Sequence, residues 1–215
     1  MKISYGITVH NEADELNKLL EVLNRNIDKD DEIVICVDGD DKDVQLIIER
    51  QEHHKQIIAY KRKLEKDFAA HKNSVIENST GDYIFHIDAD EYPHETLLEQ
   101  LKQIIEMNDN VDLIWIPRVN TIEGMTQEHI QKWGWRVTEN GWVNYPDYQA
   151  RVFRRDESIR WTRPLHELIT GCKTYAHLPP HEELSLYHPK NIQKQEQQNM
   201  FYMDNFNKDL LVRQG

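Results

Sequence analysis

The chain has 215 residues, with 26 Lys and Arg against 38 Asp and Glu for a net charge of −12, and two cysteines. That length suits one domain, on the prior of about 100 to 200 residues per domain, and the acidic balance argues against a polyanion-binding surface, so nucleic acid is not an expected partner. No segment approaches the roughly 18 apolar residues of a transmembrane span, Met1 to Ser4 lead into a strand without a signal-peptide core, and Cys36 and Cys172 form no Cys-x-x-Cys pair. These features predict a cytoplasmic protein with two free thiols.

Ile3 to Val9 is rich in β-formers and reads as a first strand, ending at Thr8-Val9-His10-Asn11-Glu12. Leu16, Leu19, Leu20 and Leu23 then mark one face of a helix from Glu12 to Asn26, with Asn11 as its N-cap. Glu32 to Val37 is a continuously apolar strand of the kind buried on both faces of a parallel sheet. It ends in the acidic turn Asp38-Gly39-Asp40-Asp41-Lys42-Asp43, after which Val44, Ile47 and Ile48 carry a second helix to Glu52. Gln56 to Tyr60 is a short third strand, and Lys61, Arg62, Lys63 and Lys66 after it read as a solvated face. Asp67 caps a third helix that bears Phe68, Ala69, Lys72, Asn73, Val75 and Ile76 and stops before Gly81.

Thr80-Gly81-Asp82-Tyr83-Ile84-Phe85-His86-Ile87-Asp88-Ala89-Asp90-Glu91 is a turn, an apolar run and three acids. It predicts a buried fourth strand that Pro93 stops, with Asp88, Asp90 and Glu91 at its carboxyl edge, where open α/β sheets bind ligands. If the strand is still extended there, Asp88 and Asp90 share a side. They repel unless a cation lies between them, and Mg²⁺ or Mn²⁺ with positions open to phosphate is the simplest one. The alternative for an isolated Asp-x-Asp is an ordinary solvated turn. His94 to Met107 is a fourth helix, and Val111 to Val119 reads as one further strand.

Alternating strands and helices through residue 119 predict an α/β fold, a mostly parallel Rossmann-like sheet with helices on both faces. Residues 120–190 differ, with four of the five Trp, a short strand at Gln149 to Arg154 and few periodic runs. Such an irregular, aromatic-rich half often shapes a pocket for a sugar-like ligand. At least two of Trp133, Trp135, Trp142 and Trp161 are expected in the core, and Arg151 and Arg154 in solvent. Asn191 to Arg213 is a polar helix with Met200, Phe201, Met203 and Phe206.

In this order, Thr8-Val9-His10-Asn11-Glu12, Val37-Asp38-Gly39-Asp40, Phe68 to Asn73, Thr80-Gly81-Asp82 and Asp88-Ala89-Asp90-Glu91 resemble the family 2 glycosyltransferases of GT-A fold. Tyr145 to Arg154, Pro164-Leu165-His166-Glu167 and His188 are similar to small bacterial transferases of the lipopolysaccharide-core type. The acidic turn departs from the family's more usual Asp-Asp-Gly-Ser, and His-Glu stands where Glu-Asp is usual. The resemblance implies a single domain over 1–215, with a nucleotide-sugar half (1–119), an acceptor and catalytic half (120–190) and a C-terminal helix (191–215). It implies that Thr8, Glu12 and Asp38 contact the nucleotide, that Asp88 lies near the ribose, and that Lys72 faces the diphosphate. Asp90 and His188 would hold Mn²⁺ or Mg²⁺, and Glu167 would be the base.

The donor implied is a nucleoside diphosphate sugar, a UDP-sugar above all, and the acceptor a glycan, lipid-linked or protein hydroxyl. Inverting transfer needs one carboxylate within reach of that hydroxyl, and Glu167 or Asp147 could serve. The alternatives are a nucleotidyltransferase of related fold, which would want a basic glycine-rich loop after the first strand, and a sugar-binding protein without turnover. A phosphohydrolase is disfavoured because its acidic pair belongs on a first strand.

Overall fold

The computed structural model describes residues 1–51 and 56–205. In chain order the elements are β1 (Ile3–Val9), α1 (Ala13–Asn26), β2 (Glu32–Val37), α2 (Lys42–Arg50), β3 (Ile57–Lys61), α3 (Phe68–Glu77), β4 (Tyr83–Asp88), β5 (Tyr92–Pro93) and α4 (Glu95–Met107). They continue with β6 (Leu113–Ile116), β7 (Arg118–Glu123), α5 (Gln127–Trp133), β8 (Gln149–Arg154), β9 (Arg160–Thr162), β10 (Leu168–Thr170), β11 (Tyr175–His177), β12 (Leu186–Asn191) and α6 (Ile192–Asn205). Seven strands form the main sheet in the order β11-β6-β8-β4-β1-β2-β3. Its β1, β2, β3 and β4 run parallel, and β8 lies antiparallel between β4 and β6. A small sheet, β5-β12-β7, and the β9-β10 hairpin complete the fold. Among the described residues no helix is long and apolar enough to cross a membrane.

Strand alternation decides which side chains reach the site. Ile3, Tyr5 and Ile7 of β1 and Tyr83, Phe85 and Ile87 of β4 pack in one core with the leucines of α1 and α4. The intervening residues Ser4, Gly6 and Thr8, and Ile84, His86 and Asp88, therefore face the other way, toward α3. Gly6 is required there, because a Cβ would run into Val75 Cγ1 of α3. This close approach brings α3, and Lys72 on it, down onto the edge where β1 and β4 end.

Several expectations need correction. Asn11 does not cap α1: Glu12 is the cap position, and its carboxylate turns back to the N–H groups of His10 and Asn11 at 2.9 and 3.1 Å. β4 ends at Asp88 rather than at Pro93, because the chain turns there, with Glu91 N–H donating to Asp88 O at 2.9 Å. Pro93 instead sits in β5 opposite Leu186 of β12. Asp88 and Asp90 are consequently not on one face of an extended strand. The stretch 111–119 is two strands in two sheets, with Pro117 between β6 and β7. Only Trp161 of the four later tryptophans is buried, at 5 % exposure. α6 is described to Asn205, so its expected continuation to Arg213, with Phe206, lies outside the described residues.

The turn before β4 is tied down by Glu32 on β2. Its carboxylate accepts from Lys2 Nζ at 2.6 Å, Ser4 Oγ at 2.6 Å, Thr80 N–H at 2.5 Å and Thr80 Oγ1 at 2.7 Å. Burial would raise its pKa, but these donors lower it to about 2. Gly81 closes the turn by donating to Ser4 Oγ at 2.8 Å, and a Cβ there would lie 2.6 Å from Ser4 N. Since the clash is with backbone, Gly81→Ala should destabilise by about 1–3 kcal/mol. Urea unfolding measures it, and a loss under about 0.5 kcal/mol would show that β1 yields.

Candidate functional site

Thr8 pairs in register with Cys36 of β2 and Asp88 of β4, so the three strand ends form one edge. Thr8 Oγ1 lies 3.5 Å from Asp88 Oδ1. Asp38 continues this edge, its N–H donating to Val9 O at 2.8 Å. Its Oδ1 accepts from Leu64 N–H at 3.0 Å, and its Oδ2 lies 3.2 Å from His10 Nδ1. Thr8, Asp38 and Asp88 thus come together as expected, while Glu12 folds back on the loop beside them.

From this edge a line of alternating charges runs into the second half of the chain. Glu167 Oε1 lies 2.5 Å from Lys72 Nζ, which lies 3.4 Å from Asp88 Oδ1. Asp88 Oδ2 accepts from Arg151 Nη2 at 2.6 Å, and the same nitrogen donates to Glu91 Oε1 at 2.7 Å. Glu91 accepts from Arg118 Nη1 at 2.6 Å, and Arg118 reaches Asp147 Oδ2 through Nη2 at 2.6 Å and Nε at 3.0 Å. Burial opposes ionisation of every member. It is outweighed for Asp88 by Arg151 and Lys72, whose charges hold its carboxyl well below the usual range. It is outweighed for Glu91 by Arg151 and for Glu167 by Lys72, and both acids are lowered. Arg151, expected in solvent, is 3 % exposed at the centre of this chain. His86, fully buried behind Asp88, is held neutral by burial, which lowers its pKa to about 4.

Asp90 and His188 make a second group. β12 pairs with β7 so that His188 stands opposite Asn120, and His188 Nδ1 lies 2.7 Å from Asn120 Oδ1. Asn120 Nδ2 faces two acceptors, Asp147 Oδ2 at 2.9 Å and Val143 O at 3.4 Å, which fixes the amide with its oxygen toward the imidazole. His188 therefore donates from Nδ1, and its pKa is lowered by burial. In that neutral tautomer the Nε2 lone pair faces Asp90 Oδ2 at 3.4 Å. Two lone pairs so opposed favour a cation between them, and carboxylate with imidazole is a donor set that suits Mn²⁺. Among the described residues no cluster of three or more His, Cys, Asp and Glu gathers to hold a metal. The residues fit an ion that takes two protein ligands and its remaining ones from phosphate and water.

Glu167 is placed by the β9-β10 hairpin. Asn73 of α3 brackets Trp161 of β9, donating from Nδ2 to its carbonyl at 2.8 Å and accepting its N–H at 2.9 Å. Pro164 O accepts from Phe68 N–H at 3.0 Å, so β9 and the loop that follows it are both fastened to α3. Arg163 and His166 hold positive φ angles of 74° and 51° within that loop, and Glu167 meets Lys72 rather than Arg160 or Arg163. Asp147 is engaged at both oxygens, because Gln149 Nε2 also donates to its Oδ1 at 3.0 Å. Trp142 and Tyr145, with Thr138, Glu139 and Asn140, line an open cavity of about 290 Å³ on the same half.

Sequence reasoning missed Arg118 and Arg151, and also Lys190 and Lys194, whose ammoniums stand 4.0 and 3.9 Å from Asp90 Oδ2. For Arg151 a signal existed, since an arginine beside Val152 and Phe153 in a strand needs a buried acid for company. Arg151→Met would remove the cation shared by Asp88 and Glu91, leaving Asp88 with Lys72 and Glu91 with Arg118, and should cost about 3–5 kcal/mol in urea unfolding. A loss below about 1 kcal/mol would mean that the guanidinium behaves as a surface group.

The chain is similar to known proteins in three respects. The family model described as "Glycosyl transferase family 2" matches residues 4–178. A curated relative, the poly(ribitol-phosphate) beta-glucosyltransferase of Bacillus spizizenii, is 32 % identical over 96 residues, which cover 43 % of this chain and 15 % of that protein. The structure of S. aureus TarS residues 1–349 superposes with a TM-score of 0.61 at 15 % identity, over 88 % of this chain and 60 % of that one. The same TarS fragment in complex with UDP-GlcNAc gives a TM-score of 0.65 over 88 % of this chain and 59 % of that one. The chain thus spans less than two thirds of the length of these proteins, and the TarS likeness shows a shared fold. With 175 of its 215 residues, positions 4 to 178, under the family model, the chain belongs to glycosyl transferase family 2.

Proposed function

We propose that this chain transfers a sugar from a nucleoside diphosphate sugar, a UDP-sugar above all, to an acceptor hydroxyl with inversion at the sugar carbon. The observation that carries the reading is the opposition of Asp90 Oδ2 and His188 Nε2 at 3.4 Å beside the edge formed by Thr8, Asp38 and Asp88. A nucleotide along that edge brings its diphosphate to the Asp90 group. Family membership supports this reading, as does the TarS complex with UDP-GlcNAc. A divalent ion on Asp90 and His188 would supply Lewis-acid stabilisation of charge on the departing diphosphate. Asp38 would take the nucleoside and Asp88 the ribose side, while Lys72, with Glu167 and Asp88 engaging two directions of its ammonium, would offer its third proton to a phosphate oxygen.

Glu167 is the base in this reading. Its pKa is lowered because Lys72 outweighs the effect of burial, and it stands on the loop between β9 and β10. Asp147, with Arg118, Asn120 and Gln149 on its oxygens, positions rather than abstracts. The relative's name specifies a beta-glucosyl product, and an α-linked nucleotide sugar gives a β product by a single inverting displacement. The acceptor is a hydroxyl of a glycan, lipid-linked or protein carrier.

Three outcomes are expected. Calorimetry should show tighter binding of UDP-GlcNAc or UDP-glucose with Mn²⁺ than in EDTA, and Asp90→Asn should abolish the difference with an unchanged circular dichroism spectrum; equal affinities in both buffers would sink the ion site. Glu167→Gln should lower turnover by about 10² to 10⁴ with donor affinity kept, whereas a dead Asp147→Asn beside an active Glu167→Gln would reverse the two roles. Glu167 has a folded pKa below its ordinary 4.5, so its base form persists as pH falls. The acid limb of kcat/KM should therefore lie below that value, and a limb near neutrality would contradict Glu167 as the base.

A further inference from the structure

Lys190 follows His188 by two residues on β12, so strand alternation directs both toward the same carboxylate. Its side chain is only 9 % exposed, yet among the described residues its ammonium has one hydrogen bond, to Gln198 Oε1 at 2.8 Å, and stands 4.0 Å from Asp90 Oδ2. A buried ammonium with three protons and a single neutral acceptor is costly unless another anion completes its shell. Lys194, from the first turn of α6, brings a second ammonium to 3.9 Å from the same Asp90 oxygen while it bonds Glu15 Oε1 at 2.8 Å. Asn191 sets this geometry by capping α6, its Oδ1 accepting from Lys194 N–H at 2.7 Å. Asp90 thus has two lysines near it, neither within hydrogen-bond distance, where one compact charge would suffice.

We infer that Lys190 and Lys194 form an anion site that takes the diphosphate of the donor directly, so that donor binding does not depend on a divalent ion alone. The inference rests on the donor reading proposed above and adds two residues outside the acidic motif. A diphosphate seated against Asp90 would be repelled by it, and two ammoniums 3.9 and 4.0 Å away offset that repulsion whether or not an ion is present. Because Lys194 rides on α6, the C-terminal helix becomes part of the donor site instead of a covering element.

The test compares UDP with uridine by calorimetry, in Mn²⁺ and in EDTA, for the parent, Lys190→Met, Lys194→Met and the double variant. Methionine keeps the apolar stems, and thermal melting checks the fold; Lys194, at 32 % exposure, is the variant least able to disturb it. The parent should bind UDP in EDTA, and the double variant should lose about tenfold or more of that affinity, with uridine affinity unchanged. Inorganic pyrophosphate should compete with UDP on the parent in EDTA and fail to do so on the double variant. Unchanged UDP affinity in the variants, an equal loss for uridine, or a parent that binds UDP only with Mn²⁺ overturns the lysine site and leaves the donor reading standing. A parent that binds neither UDP nor uridine in either buffer overturns the donor reading and the lysine site with it.

Discussion

Arg151 reaches from β8 to Asp88 and Glu91 at 2.6 and 2.7 Å, and the arrangement of the sheet edge depends on that guanidinium. β8 is the antiparallel strand that joins the regular first half to β6 and the irregular second half. Its arginine therefore ties both halves together where the strands end. Removing water from seven alternating charges is expensive for each one, and the geometry compensates only because every carboxylate finds a cation and every cation a carboxylate. Such a network contributes less to stability than to placement. It fixes Asp88, Glu167 and Asp147 relative to one another with little freedom, as a site for orienting two substrates requires.

The two aspartates of the Asp-x-Asp pair are treated differently by their surroundings. Asp88 is satisfied by protein cations, Arg151 and Lys72. Asp90 is bordered by a neutral histidine and by lysines held just outside bonding distance. Its carboxyl is held well below the usual carboxylate range, and so stays ionised, by the neighbouring His188 and Lys190 against the effect of burial. The simple expectation of one ion shared by two acids on a strand fails because β4 stops at Asp88. The chain turns at Ala89, and Asp90 then belongs to the small sheet's side of the edge. The two acids therefore differ: one is locked in the protein's own network, and the other has no cation within hydrogen-bond distance among the described residues.

Much of the fold was legible because it is written in periodicity. Leu16, Leu19, Leu20 and Leu23 place α1, the unbroken apolar run from Ile33 to Val37 places a central parallel strand, and Asp67 marks the start of α3 by capping Ala70 N–H at 2.9 Å. What failed was short-range. A single proline split the stretch 111–119 between two sheets, and local spacing carries no signal for which sheet each part joins. The tryptophans misled for a related reason: Trp133 and Trp135 pack against each other at a tilt of 37° with ring centroids 4.7 Å apart, only half-buried, and composition cannot separate that from core packing. At the site, residues carrying a motif were found, Lys72 among them, whereas the other cations around them were not. Arg118, Lys190 and Lys194 gain their meaning from long-range pairings such as His188 with Asn120, and these follow from topology.

The central claim is that the protein satisfies Asp88 and Glu167 itself and leaves the Asp90 and His188 pair as the place for a cation and a diphosphate. A crystal structure of the protein soaked with UDP and Mn²⁺, with anomalous diffraction recorded for manganese, tests it most directly. The account predicts an anomalous peak between Asp90 and His188, a diphosphate reaching it from a uridine beside Asp38, and Arg151 still bonded to Asp88 and Glu91. Manganese bound to Asp88 in place of Arg151, or a nucleotide away from the carboxyl edge of β1, β2 and β4, would contradict it.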